Sequence, residues 1–336
     1  MKVALIGCGS IAKTHLDVLK HLGHDVIALC DRSEEKAAKL RDDFGLDCKV
    51  YTDYTVMMDK AKPDSVHVCT PHYEHAEMSI AALNRGINVL CEKPVCISDE
   101  QYYELKKAAD LSSAKIGICF QNRYLETNEK LKALCETEGA KGIFATVPWA
   151  RDEKYYKETD WRGRRKTEGG GVMMNQAIHT LDLIIWMLGE PIAVTGSVGN
   201  NHLKGVIDEE DTAEIYVEFK SGTKATFYAT TANAFNSPVI ISLATDKGHY
   251  TAVGNKVYDG AGLPVAVNEK IDIIAKDYWG NGHLHLIRDF YDHVTRGEDF
   301  SVGVTEAYKA VKTVLELYAS CLLYTSPSPR DPKTSR

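Results

Sequence analysis

Four absences narrow the class of this sequence. No apolar run among its 336 residues approaches the ~20 needed to cross a bilayer as a helix. Positive charge is not in excess: 40 Lys and Arg face 47 Asp and Glu, for a formal net charge of -7. A field of that sign attracts neither a phosphate backbone nor an anionic lipid surface, so nucleic acid and membranes are set aside as partners. Paired cysteines are missing. The nine Cys are an odd number without a C-x-x-C pair, and Cys30, Cys69, Cys91 and Cys119 sit inside apolar runs. They read as reduced core thiols, not as a disulfide framework or a zinc site. Finally, Met1 runs directly into an apolar strand, without the basic start and small-residue cleavage site of a signal peptide, and the expected compartment is the cytoplasm.

What is present is organised in two parts. Hydrophobic residues make up 44% of the chain, enough at this length for two domains with full cores. Apolar runs at 3–6, 26–30, 66–69, 89–91 and 116–120 alternate with stretches of helical periodicity such as 33–44 and 75–85. That alternation predicts a parallel sheet covered by helices on both faces over residues 1–122. Over 123–323 the strands read as hairpins. Ala213, Ile215, Val217 and Phe219 alternate with polar residues, Ser221-Gly222 turns the chain, and 225–229 returns. Lys247-Gly248 marks a second hairpin between 239–244 and 249–253. The second domain is therefore expected to be α+β with an open, mainly antiparallel sheet, its amphipathic last helix (306–323) packing back on the first domain. An open sheet face calls for a cover, which predicts a homo-oligomer, dimer or tetramer. Residues 324–336 hold three prolines and almost nothing apolar, and read as a disordered or non-native tail.

The first turn carries a specific pattern. Gly7-Cys8-Gly9-Ser10-Ile11-Ala12 follows the first strand and opens an amphipathic helix. Gly7 permits the tight turn, Gly9 lets backbone approach a pyrophosphate, Ala12 permits close helix–strand packing, and the N–H groups from Ser10 and Ile11 onward face the anion. A second strand ends at Asp31, near the spacing at which an acid binds the adenosine ribose diol. The N-terminal domain is thus expected to be an α/β Rossmann domain. NAD is expected over NADP, because the Asp31 carboxylate would repel a 2′-phosphate, although the adjacent Arg32 could stack on adenine or pair with that phosphate.

A longer set of motifs resembles a known family. Glu92-Lys93-Pro94 after a strand, with Thr70-Pro71 before it, then Trp161-Arg162, Gly169-Gly170-Gly171, Asn175 through His179 to Asp182, and Tyr278 to His283, follow one another as in the Gfo/Idh/MocA oxidoreductases. That family includes inositol and sugar dehydrogenases, and the likeness covers roughly residues 1–320. It implies an NAD-dependent enzyme that moves a hydride between nicotinamide and a carbinol of a sugar, glycoside or cyclitol. It also implies cofactor contacts from Thr70, His75, Glu92, Trp161 and Arg162, with His72 standing where Asn is common. The residue matching His179 is typically the general base or its relay, and Asn175 stands where Asp is usual.

The chemistry can be argued from the residues as well. Oxidising a carbinol needs a base for the hydroxyl proton, and Lys93 would end a strand on the carboxyl edge of the sheet, where ligands bind. Its ammonium could bind the substrate oxygen or, if desolvated, act as base. On a helix, Asn175, His179 and Asp182 would share a face. Asn can orient an imidazole or hold a hydroxyl but cannot stabilise an imidazolium as a carboxylate would. Arg123, Trp149, Arg151, Tyr278 and His283 are further candidate substrate contacts, since aromatic and guanidinium groups suit polyols. No metal is expected, His72, Glu74 and His75 notwithstanding, because a lysine can polarise the oxygen. Two other functions fit the family: transient oxidation of a glycoside with elimination and return of the hydride, and a cofactor-sensing regulator. Retention of Lys93 and His179 argues against the regulator.

Overall fold

The computed structural model describes residues 1–269, 273–274 and 280–324. β1 (Lys2–Ile6) leads through the glycine turn into α1 (Ser10–His21). The alternation continues as β2 (Asp25–Cys30), α2 (Glu34–Phe44), β3 (Lys49–Tyr51), α3 (Tyr54–Ala61), β4 (Ser65–Val68), a 3-10 turn (His72–Glu74), α4 (His75–Leu83), β5 (Asn88–Cys91), α5 (Asp99–Leu111) and β6 (Ile116–Ile118). The six strands are parallel in the order β3-β2-β1-β4-β5-β6. The order reverses between β1 and β4, so a crevice opens at their carboxyl ends. Three of these helix starts are capped by the residues that the chain chemistry favours: Ser33 accepts from Lys36 N, Asp53 from Thr55 and Val56 N, and Ser98 from Gln101 N. α1 begins instead on Gly9 with no side-chain cap, which leaves its first N–H groups for a ligand.

The second part begins with α6 (Glu126–Glu138) and β7 (Ala140–Pro148). Three short helices follow, α7 (Glu153–Lys157), α8 (Arg165–Glu168) and α9 (Val172–Asn175), then α10 (Ile178–Leu188). The remaining strands are β8 (Pro191–Gly199), β9 (Thr212–Phe219), β10 (Lys224–Thr230), β11 (Ile240–Thr245), β12 (His249–Val253), β13 (Lys256–Asp259) and β14 (Pro264–Val267). They form an eight-stranded sheet in the order β14-β13-β12-β11-β7-β10-β9-β8, antiparallel except where β7 meets β10. Both hairpins fall where the alternation placed them, with Glu218 opposite Lys224 and Ala244 opposite His249. Ile143, Ala145, Ile215, Val217, Phe227 and Leu243 point into the core beneath α6 and α10. The other face is open, with Phe144 49% exposed at its middle.

The chain then returns to the first sheet. α11 (Gly282–Arg296) packs on α1, and Ile118 N donates to Val302 O at 2.9 Å. Tyr308 of α12 (Val304–Tyr324) stacks on Tyr102 of α5 with ring centroids 3.6 Å apart, while the same helix lies along β8. Residue 122 thus divides the sheets but not the helices, and one apolar core runs through both. Tyr324, grouped by composition with the tail, is the last residue of α12. All nine cysteines are free thiols, with only Cys48 and Cys321 partly exposed. Among the described residues no helix is long and apolar enough to cross a membrane.

Candidate active site

A cavity of about 650 Å³ occupies the crevice at the carboxyl ends of β1, β2, β4 and β5, and the second domain closes its far wall. Its floor is the glycine turn. Gly7 has φ +93, donates its N–H to Cys30 O at 2.8 Å, and leaves no room for a Cβ, which would lie 2.5 Å from Cys69 O. A Cβ on Gly9 would meet nothing within 4 Å, so this side of the turn is an open cradle in front of the α1 N-terminus. Ser10 and Ile11 line it too, whereas Ala12 is buried against the sheet. Asp31 is fixed by the same turn: one carboxylate oxygen accepts from Cys8 N and the other from Ser33 N, both at 2.9 Å. Free lone pairs remain on both oxygens for a diol. Arg32, largely exposed, leans toward Glu74 at 3.7 Å. Glycine turn, uncapped helix start and acid together fit a dinucleotide.

β5 delivers Glu92 and Lys93 to the cavity. Glu92 is buried, accepts from His15 Nε2 at 3.0 Å and lies 3.8 Å from His283 Nε2. Burial opposes its ionisation, but hydrogen bonds from the two histidines hold it well below the ordinary carboxylate range. The network continues inward from His15 Nδ1 to His67 Nδ1 at 2.8 Å and from His67 Nε2 to the Tyr291 hydroxyl at 2.8 Å. His15, Glu92, Cys119 and His283 bring ligand-type atoms within 4.8 Å of one another, a set chemically able to hold a metal ion. Lys93 Nζ donates to the main-chain oxygen of Asn175 at 2.9 Å.

The opposite wall comes from the second domain. His179, at the start of α10, is buried edge-on against Phe120, with ring centroids 5.8 Å apart. Burial first, then the charge of Lys93, pushes its pKa well below the ordinary histidine value, so the ring is a neutral imidazole. Its Nδ1 has no hydrogen-bond partner among the described residues. The Arg151 guanidinium lies over Trp149 and Tyr155 at 5.2 and 5.1 Å, and that of Arg162 over Tyr155 and Trp161 at 4.2 and 5.5 Å. Trp149, Arg151, Trp161 and Arg162 all line the cavity.

Several sequence expectations change. Asn175, His179 and Asp182 do not share a helix face, because α9 ends at Asn175 and α10 starts only at Ile178. Asp182 and Arg123 are not at the cavity. They form a buried ion pair at 2.6 and 2.8 Å, extended to Glu306. His75 lines the cavity, but both its ring nitrogens lie on main-chain carbonyls, Pro94 O at 2.7 Å and Thr70 O at 2.8 Å, so it pins the two loops together. His72 spends its Nδ1 on Glu168 O at 2.8 Å and packs beside Trp161. Thr70, Glu92 and His283 stay on the lining. Tyr278 lies outside the described residues. Sequence reasoning missed His15, His67 and Glu168. The signal for the first two was a polar residue in an apolar context, His15 on the buried stripe of α1 and His67 between Val66 and Val68 in a fully buried strand.

The comparisons with known proteins agree with this fold. Residues 1–120 match the family model described as an oxidoreductase family with an NAD-binding Rossmann fold, and residues 140–251 match the model of the GFO/IDH/MocA C-terminal domain. The chain is 27% identical to D-glucoside 3-dehydrogenase of Escherichia coli over 95% of each chain. It is 26% identical to myo-inositol 2-dehydrogenase of Thermotoga maritima over 66% of each. Among solved structures, the WlbA dehydrogenase of Chromobacterium violaceum in complex with NADH and UDP-GlcNAcA superposes with a TM-score of 0.84 at 25% identity, covering 96% of this chain and 94% of that one. The chain belongs to the GFO/IDH/MocA oxidoreductases, and its first domain is the family's NAD-binding Rossmann fold.

Proposed function

We propose that this protein oxidises a carbinol of a sugar, glycoside or cyclitol with NAD, and that Lys93 and His179 handle the hydroxyl proton. The observation that carries the reading is the pairing of a lysine ammonium with a neutral, buried histidine on facing walls of the dinucleotide cavity. Bound NAD supplies a nicotinamide that takes up the hydride. The N–H groups of the first turn of α1 hold its diphosphate, and Asp31 accepts from its adenosine ribose. Lys93 donates to the substrate oxygen and stabilises the negative charge that develops there as the O–H bond breaks. His179 takes that proton, because a ring kept neutral has its lone pair available. Trp149 and Trp161, with the Arg151 and Arg162 guanidinium groups beside them, offer an apolar face and hydroxyl partners to a polyol. The D-glucoside and inositol enzymes among the relatives support this substrate class.

The test is a kinetic comparison with the best substrate from a panel of glycosides, hexoses, uronates and inositols. His179→Ala and Lys93→Met are each expected to lower kcat by about 10²–10⁴ while NAD affinity stays nearly unchanged. Near-normal kcat in His179→Ala would make that residue structural.

A further inference from the structure

Glu168 is a carboxylate that no motif points to, and it is only 1% exposed. It ends α8 directly before the triple glycine, and both its oxygens are engaged. Gly163 N donates to Oε2, and the Asn175 side-chain amide donates to Oε1. Its main-chain oxygen accepts from His72 Nδ1 at 2.8 Å, and Gly169 behind it fits so closely that a Cβ there would lie 2.6 Å from the Ile97 side chain. The carboxylate is therefore held by two donors and the backbone behind it by His72, with the side-chain donor, Asn175, on the cavity wall.

An amide has one acceptor and one donor end. With one Nδ2 hydrogen committed to Glu168, the amide is fixed in one orientation, and Oδ1 is the acceptor that Asn175 keeps for the cavity. We propose that Glu168 and Asn175 work as one unit, in which Glu168 is a positioning residue that holds the negative charge and fixes Asn175 to present an acceptor to a substrate hydroxyl. This rests on the carbinol-oxidising reading above.

The unit has a consequence for pH. The Glu168 carboxyl is pushed up to about 7 by burial, against hydrogen bonds from Gly163 and Asn175 and the charges of Arg162 and Lys93. The other titratable groups facing it are the His72 ring at its main chain and the Tyr156 hydroxyl of α7. Above pH 7 the carboxylate accepts from Asn175. Below it, the protonated acid carries a donor of its own, the amide is free to turn, and the acceptor in the cavity is lost. His179 contributes no limb in this range, because its pKa lies well below the ordinary histidine value. Glu210, the other carboxyl pushed up to about 7, does not line the cavity, so an acidic limb of kcat/KM near 7 is assigned to Glu168.

The experiment compares the full-length enzyme with Glu168→Gln, Asn175→Asp and the double variant. Glu168→Gln should lose the limb near 7 and about 10- to 100-fold in kcat/KM at pH 8, the usual cost of removing a group that orients another, with NAD binding by calorimetry retained. Asn175→Asp alone sets two carboxyl groups in contact, so they share a proton and the limb moves upward. The double variant exchanges amide and carboxylate, restores one charge and one hydrogen bond, and should recover most of the loss. A limb that persists near 7 in Glu168→Gln, or a double variant no faster than the slower single one, would overturn the proposal. If Glu168→Gln does not fold, Asn175→Ala replaces it, and a limb retained there has the same meaning. An activity-free readout separates this from the catalytic reading: the infrared carboxyl absorption that titrates near pH 7 should lose Glu168's share in Glu168→Gln, with the buried Glu210, also pushed up to about 7, supplying the rest. The presence of Glu168's share with no polyol oxidised would sink the substrate reading and leave the titration of Glu168 standing. If the absorption is unchanged in Glu168→Gln, the titration is refuted whatever the substrate.

Discussion

Asp31 illustrates how much a single side chain carries at this site. Its two oxygens take main-chain N–H groups from both sides of the crevice, Cys8 in the glycine turn and Ser33 at the start of α2. The carboxylate is thus placed before any ligand arrives, and a 2′-phosphate would meet a fixed negative charge. Calorimetry should find NAD bound more tightly than NADP, and Asp31→Ala should narrow the gap. Tighter binding of NADP to the unmodified protein would contradict this account of Asp31. At this scale the sequence was legible where a motif has a fixed local geometry, as at Gly7, Gly9, Asp31 and Lys93. It was not legible where partners meet only through the fold. His15 and Glu92 are 77 positions apart, and no periodicity links them. Arg123 and Asp182 looked like site residues by type, but an ion pair across 59 positions takes both away from the cavity.

At the scale of elements, the turn from α8 through the triple glycine into α9 is held by a second buried acid. Glu210 accepts from Gly171 N at 3.1 Å, Met173 N at 3.0 Å and the Tyr318 hydroxyl of α12 at 2.8 Å. Gly171 passes so close that a Cβ would sit 1.9 Å from Glu210 O, which explains a glycine there in packing terms. Burial raises the Glu210 carboxyl from 4.5 to about 7 despite these donors. The folded state therefore keeps a proton that the unfolded chain has lost. Stability from this group is full below 4.5 and is lost as pH rises through about 7, on the order of 3 kcal/mol in total. Chemical denaturation at pH 5 and pH 8 should give a smaller difference for Glu210→Gln than for the unmodified protein. Parallel curves would refute the assignment. Alternation and turn residues made the hairpins legible, but β3 has only three residues, too few to display a period. The break between α9 and α10 was hidden as well, because Gln176 and Ala177 are ordinary helix residues and the chain turns there for tertiary reasons.

For the whole molecule, the eight-stranded sheet has one face without a helical layer among the described residues, and Phe144 stands there at 49% exposure. Burying such a face is the ordinary route to a symmetric assembly, and we propose a homo-oligomer built on it. Light scattering at micromolar concentration should give a multiple of the chain mass, and Phe144→Asp should lower it. A monomer for the unmodified protein would remove the proposal. The order of the two sheets and the type of each were readable from hydrophobic period and turn residues, but the return of α11 and α12 to the first sheet was not fully so. An amphipathic stripe states that a helix is buried, not which of two domains buries it. The central claim is net transfer of a hydride from a carbinol, and its most direct measurement is the stoichiometry of reduced cofactor against oxidised product. With purified protein, excess NAD and the best glycoside or cyclitol, absorbance of the reduced cofactor should rise in proportion to the keto product. Product formed with no accumulation of reduced cofactor, or neither with any member of the panel, would contradict it.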